Sequence, residues 1–178
     1  MQPESLRRLD LLSLLLLLLW VGMALGFGIL TAPVLFAQVP SRDLAGRVAG
    51  LVIERLDWAA WIAFGGSFAL SFLPRWLAEL KEHDAVGPFR LWTAGALAAL
   101  LMCLASSFIF TPKLREIRGR MTAPVESIAQ EHPDRRAYDK AHGLSRQFFF
   151  LRVLLAAGLA VGLAWLPREL PQAGPEHS

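Results

Sequence analysis

From Leu11 to Ser41 the chain carries no charged residue, and no other feature constrains its fold so strongly. The run is about twice the ~7–15 residues of a signal-peptide core. It also exceeds the ~20 residues needed to cross a bilayer, so it reads as an uncleaved transmembrane helix. Arg7 and Arg8 lead into it, and LLSLLLLLLW forms its first half. Further charge-free runs lie from Trp58 to Pro74, from Leu91 to Pro112 and after Arg152. Composition agrees with a membrane chain. Of 178 residues 54% are hydrophobic and only 19% are charged, against ~25% in soluble chains. Mean hydropathy is +0.43.

These runs predict an all-α polytopic membrane protein, an antiparallel four-transmembrane-helix bundle. The spans fall at about residues 9–38, 42–73, 88–112 and 134–166, within one domain over 1–167. The second and fourth helices are longer than the hydrocarbon layer is thick, so both are expected to extend beyond the membrane on one face. Gly22, Gly26 and Gly28 give the first helix a narrow face for a close neighbour. Thr31-Ala32-Pro33 and Thr111-Pro112 are expected to bend or end their helices. Ser41 is placed to cap the second helix, with Asp43 in its first turn. A short loop helix is expected near Thr122–Glu126, and a disordered tail over 168–178.

Four alternating spans make the second and fourth helices parallel. Aligned by their ends at Leu73 and Leu166, Asp57 and Arg152 fall at nearly the same depth. Arg47, Glu54 and Asp57 share one face of the second helix, and His142, Ser145 and Arg152 share one of the fourth. An ionisable residue inside a membrane usually faces the bundle interior and finds a partner. Arg152 is therefore expected to pair with Asp57 or Glu54, with His142 and Arg146 one or two turns further out. The candidate polar cluster is Arg47, Glu54, Asp57, His142, Ser145, Arg146 and Arg152. Snorkelling to the headgroups also accounts for charges near helix ends. An ion pair that only fixes helix register accounts for Arg152 as well as a functional site does.

Catalytic signatures are missing. The chain has no H-E-x-x-H, no G-x-S-x-G, no phosphate loop and no G-x-G-x-x-G. Cys103 is the only cysteine, which excludes an internal disulfide and a cysteine zinc site. No catalytic residue, cofactor or metal is assigned. The mild excess of positive charge, +3, suits membrane loops and gives no sign of nucleic acid. The bilayer is the expected partner, with a membrane protein or a second copy beside it. Basic residues crowd the first and third connectors. That places those connectors in the cytoplasm and both termini in the periplasm of a bacterial inner membrane, although Arg7 and Arg8 argue the other way. Three function classes stay open. One is a binding, accessory or assembly factor. Another is a transporter or channel-like subunit lined by the cluster, and the third is a cofactor-binding membrane enzyme.

The stretch GILTAPVLFAQVPSRDLAGRVAGLV, from Gly28 to Val52, carries A-P-x-L-F, then Val39-Pro40, then A-G-x-x-A-G. It resembles the first-loop signature of the transmembrane-protein-205-like family, the domain of unknown function 4149. AHGLSRQFFFLRVLL, from Ala141 to Leu155, resembles that family's final helix. Ile53 departs from the pattern, which has an aromatic there. The resemblance implies a four-helix integral membrane protein and no defined activity.

Overall fold

The computed structural model describes residues 3–74 and 88–165. Most of the second connector and the expected disordered tail lie outside the described residues. Within them the chain forms four helical rods and no strand. The first rod is α1 (Pro3–Leu25), a π turn (Gly26–Thr31) and α2 (Ala32–Gln38). The second is α3 (Arg42–Ser67) followed by a π turn (Phe68–Phe72). The third is α4 (Pro88–Ala105), a π turn (Ser106–Phe110) and α5 (Thr111–Arg120). The fourth is α6 (Pro133–Trp165).

Side-chain contacts fix the directions. Trp20 and Ser13 on α1 meet Leu56 and Ser67 on α3, so the two rods run antiparallel. Ser106 meets Asp57, Gly95 faces Leu159, and Phe110 packs on Phe148. Each consecutive rod thus reverses the last, and α3 and α6 run parallel. The core is built from Leu17, Trp20, Phe64, Phe72 and Leu159, with alanines at 60, 63, 96, 99, 156 and 160 between the rods. Small residues at these seams let the backbones approach closely.

Outside, the pattern is inverted. Leu15, Leu19, Ile29, Leu30, Trp58, Ile62, Leu101, Phe108 and Leu154 all face outward. A belt of this kind suits a hydrocarbon surround and not water. Three helices, Arg7–Gln38, Leu91–Arg120 and Pro133–Trp165, are long and apolar enough to cross a membrane. The second rod is shorter in its apolar part and carries Asp57 inside it.

Each π turn stands immediately before a proline. The N–H groups of Ala32, Leu73 and Thr111 reach five residues back, to Phe27, Phe68 and Ser106. Pro33, Pro74 and Pro112 follow them. A proline inside a helix lacks its own donor and crowds the preceding turn. Widening that turn by one residue gives the ring room, so the helix continues. The first rod therefore runs on to Gln38. The third runs on to Arg120, past the end expected at Pro112, and three rods carry polar extensions at this end of the bundle instead of two. Lys113 and Arg120 flank Glu116 at helical spacing, 3.1 and 2.9 Å away, and support α5 in that extension.

The connectors are short. Ser41 caps α3, its hydroxyl accepting from the Leu44 N–H at 3.1 Å, and Asp43 sits in the first turn. The expected loop helix near Thr122 is a single 3-10 turn, Val125–Ser127, because Pro124 lies in an extended conformation and starts it late. Gly22, Gly26 and Gly28 have no close neighbour, contrary to expectation. The close approaches fall at Gly162, where a Cβ would meet the Trp92 ring, and at Gly66, beside Leu16.

Candidate functional site

The inward faces of α3 and α6 build the site. Asp43, Gly46, Gly50, Ile53 and Asp57 follow one another along α3 at steps of three and four. Tyr138, His142, Ser145, Phe149 and Arg152 do the same along α6. Where the two faces come together, Arg152 Nη2 stands 2.7 Å from Asp57 Oδ1, with both side chains buried. The approach is a charge contact off the N–H line, since Asp57 Oδ1 has no hydrogen-bond partner. Ser106 donates to the other carboxylate oxygen, Oδ2, at 2.7 Å. Arg152 Nη1 points to Cys103 Sγ at 3.6 Å. Its Nε has no partner at all. The guanidinium lies 5.9 Å from the Trp20 ring centre and 5.8 Å from that of Phe149, a range in which the ring faces attract a cation.

Outward from this pair lies a cavity of about 780 Å³, within the ~300–1,000 Å³ range of small-ligand sites. Its walls are largely apolar: Phe27, Ala49, Leu51, Ile53, Phe149 and Phe150. Its outer end is ringed by arginine. Seven arginines line it, against three carboxylates: Asp43, Glu54 and Glu126. Several of these charges are paired. Arg118 bonds Asp43, which Arg47 also approaches at 3.5 Å. Arg115 bonds Glu54, and Arg135 bonds the Val125 carbonyl and Asp139. Among the described residues neither Arg42 nor Arg146 has an ion-pair partner. His142 stacks on Tyr138, and Arg118 lies over the same Tyr138 ring.

A second, smaller space of about 420 Å³ lies on the other side of the pair, bounded by Asp57, Trp58, Trp61 and Phe108. Arg152 faces the large cavity and Asp57 the small one, so their contact separates the two. Glu54 and Thr111 border both.

Of the sequence candidates, Arg47, Glu54, His142, Ser145, Arg146 and Arg152 all line the large cavity, and Asp57 stands directly behind Arg152. Arg152 pairs with Asp57; Glu54 is taken by Arg115 instead. The sequence argument missed Arg115, Arg118 and Tyr138 because it ended the third helix at Pro112 and compared only the two parallel rods. Ser106, Cys103 and Trp20 had a signal of their own: each is a polar-capable group in the middle of an apolar run. Among the described residues no group of three His, Cys, Asp or Glu side chains could hold a metal ion.

Fold and site together define a helical membrane protein with an arginine-ringed cavity among its rods. The chain belongs to the family named for a domain of unknown function, DUF4149, whose model matches residues 15–123. The match covers the first three rods as far as α5, and α6, with Arg152, lies outside it. No curated protein and no solved structure matches the chain.

Proposed function

We infer that the protein acts by binding, holding an amphiphilic molecule in the cavity between α2, α3, α5 and α6, and that it serves as an accessory or assembly factor of a bacterial inner membrane. The cavity carries this reading. Its apolar wall and charged outer end match a molecule with one apolar and one polar part. Transport is less favoured by the same geometry. A path through the bundle would have to break the Arg152–Asp57 contact and strand both charges, at a cost of several kcal/mol. Binding needs no such step. The excess of arginine at the connector end supports a cytoplasmic position for that end and periplasmic termini. Fusions at the C-terminus test this: alkaline phosphatase is expected to be active there, and a fluorescent, inactive pair of reporter fusions would reverse the orientation.

Gly50 gives the direct test. It lines the cavity, and a Cβ added to it would meet nothing within 4 Å. Gly50→Leu therefore fills the cavity without a clash and removes a helix-weakening glycine, worth roughly 1 kcal/mol. Native mass spectra of protein purified in mild detergent are expected to show a bound adduct on the parent and none on Gly50→Leu, with the melting temperature unchanged or raised. An adduct that survives the substitution would remove the cavity from the binding reading.

A further inference from the structure

We propose that the cavity takes an anionic phospholipid from the surrounding bilayer, its phosphate held by Arg146 and Arg47 and its acyl chain lying against Phe27, Phe149 and Phe150. The proposal rests on the binding reading above and names the ligand for it.

Three observations carry it. The first is where the cavity opens. α1 packs on both α3 and α6, whereas α2, beyond the π turn and Pro33, packs chiefly on α3. Phe36 on α2 and Phe150 on α6 both line the cavity, yet they are 47% and 64% exposed. The mouth therefore faces the side of the bundle, where hydrocarbon lies, and a bilayer lipid reaches it without crossing water.

The second observation is charge. Arginines outnumber carboxylates in the lining by four, and Arg146 is free of any ion pair among the described residues. Guanidinium groups bind phosphate oxygens through parallel N–H bonds, which makes them the usual hosts for that group. By the pairing of Asp57 with Arg152, the depth of Arg146 corresponds to Leu51 on α3, one turn from Arg47. The two side chains thus approach one headgroup from facing rods.

The third is the inner end. Arg152 is 1% exposed and lines the cavity, and its Nε–H donates to nothing in the protein. A buried donor without an acceptor costs roughly 1–3 kcal/mol. A phospholipid carries ester carbonyls on the chain side of its phosphate. Arg152 lies six residues, roughly 9 Å, inward of Arg146 along α6. An ester carbonyl in that position accepts the orphan N–H, which a chain of plain hydrocarbon could not do.

The experiment titrates the detergent-purified full chain with phosphatidylglycerol, with phosphatidylcholine of the same chains, and with soluble glycerol phosphate. Thermal melting and native mass spectrometry are read together. Phosphatidylglycerol is expected to raise the melting temperature and to add one lipid per chain. Phosphatidylcholine is expected to bind about tenfold more weakly, and glycerol phosphate not at all. Arg146→Gln removes a charged hydrogen-bond donor, so it is expected to weaken phosphatidylglycerol about tenfold and leave phosphatidylcholine unchanged. Equal binding of the two lipids, or an Arg146→Gln protein that binds phosphatidylglycerol like the parent, would overturn the proposal. Glycerol phosphate binding as tightly as the lipid would overturn the bilayer source. Gly50→Leu separates the two levels. If it loses both lipids while the parent takes them alike, the binding cavity stands and its anionic choice falls. If it binds both like the parent, the cavity reading falls as well.

Discussion

Arg152→Leu alone is expected to be among the most damaging substitutions this chain can carry, at about 3–5 kcal/mol. Both members of the Arg152–Asp57 pair are almost wholly buried, at 1% and 6% side-chain exposure. Removing the arginine leaves a buried carboxylate with Ser106 as its only hydrogen-bond donor. Asp57→Asn alone strands the guanidinium, which then keeps only Cys103 Sγ and two aromatic faces. Damage of similar size is expected. The double substitution removes both charges, and an asparagine at position 57 can still accept from Ser106. It is expected to recover much of the loss. The measurement is a double-mutant cycle of thermal stability in detergent, with the coupling taken as the departure from additivity. Strictly additive effects, or an Arg152→Leu protein as stable as the parent, would sink the pairing. The cycle also separates staple from site. A stable double mutant that no longer holds its adduct makes Arg152 part of the binding surface, because only Arg152 of the two faces the large cavity.

Long elements were legible in the sequence because a membrane helix announces itself by what it lacks. Charge cannot be spent cheaply in hydrocarbon, so its absence from Leu11 to Ser41 and from Leu91 to Pro112 marks helix directly. What happens at a proline is less legible. The residue shows that a turn must change, but not whether the chain stops or widens the turn and continues. All three prolines at the rod bends took the second course. KLREIRGR was hidden as a consequence. Its polar composition reads as a connector, although Lys113, Glu116 and Arg120 already carry helical spacing. The depth match of Asp57 and Arg152 was legible because parallel helices of known end can be aligned by rise alone. The partner of Glu54 was not, since Arg115 lies on an antiparallel rod beyond a predicted end. The cavity has no sequence signature at all. It arises because α2 leaves α6 after the first π turn, and because glycines at 46 and 50 leave room on α3, both of which depend on tertiary packing.

Trp20 is the other position where a single change is expected to cost several kcal/mol. It lies at the junction of α1, α3 and α6 and is 1% exposed. Its indole N–H donates to the Leu56 carbonyl at 2.9 Å. Its ring tilts against Phe64 at 5.2 Å and Phe149 at 6.2 Å. The same ring presents a face to the Arg152 guanidinium. Trp20→Ala opens a large void at this junction, and about 3–5 kcal/mol is the usual cost of such a truncation. Trp20→Phe keeps an aromatic packing partner. It gives up the hydrogen bond, at about 0.5–1.5 kcal/mol, and much of the cation attraction, at about 1–2 kcal/mol for a desolvated pair. The expected order of melting temperatures is therefore parent, then Trp20→Phe, then Trp20→Ala. The ring and the ion pair share Arg152, so combining Trp20→Phe with Arg152→Leu is expected to cost less than the sum of the two. Full additivity would detach the tryptophan from the charged pair, and a Trp20→Ala protein that melts with the parent would show that the three rods do not depend on this junction. Either result would also bear on the cavity, whose inner wall includes Phe149, a ring that Trp20 supports from behind.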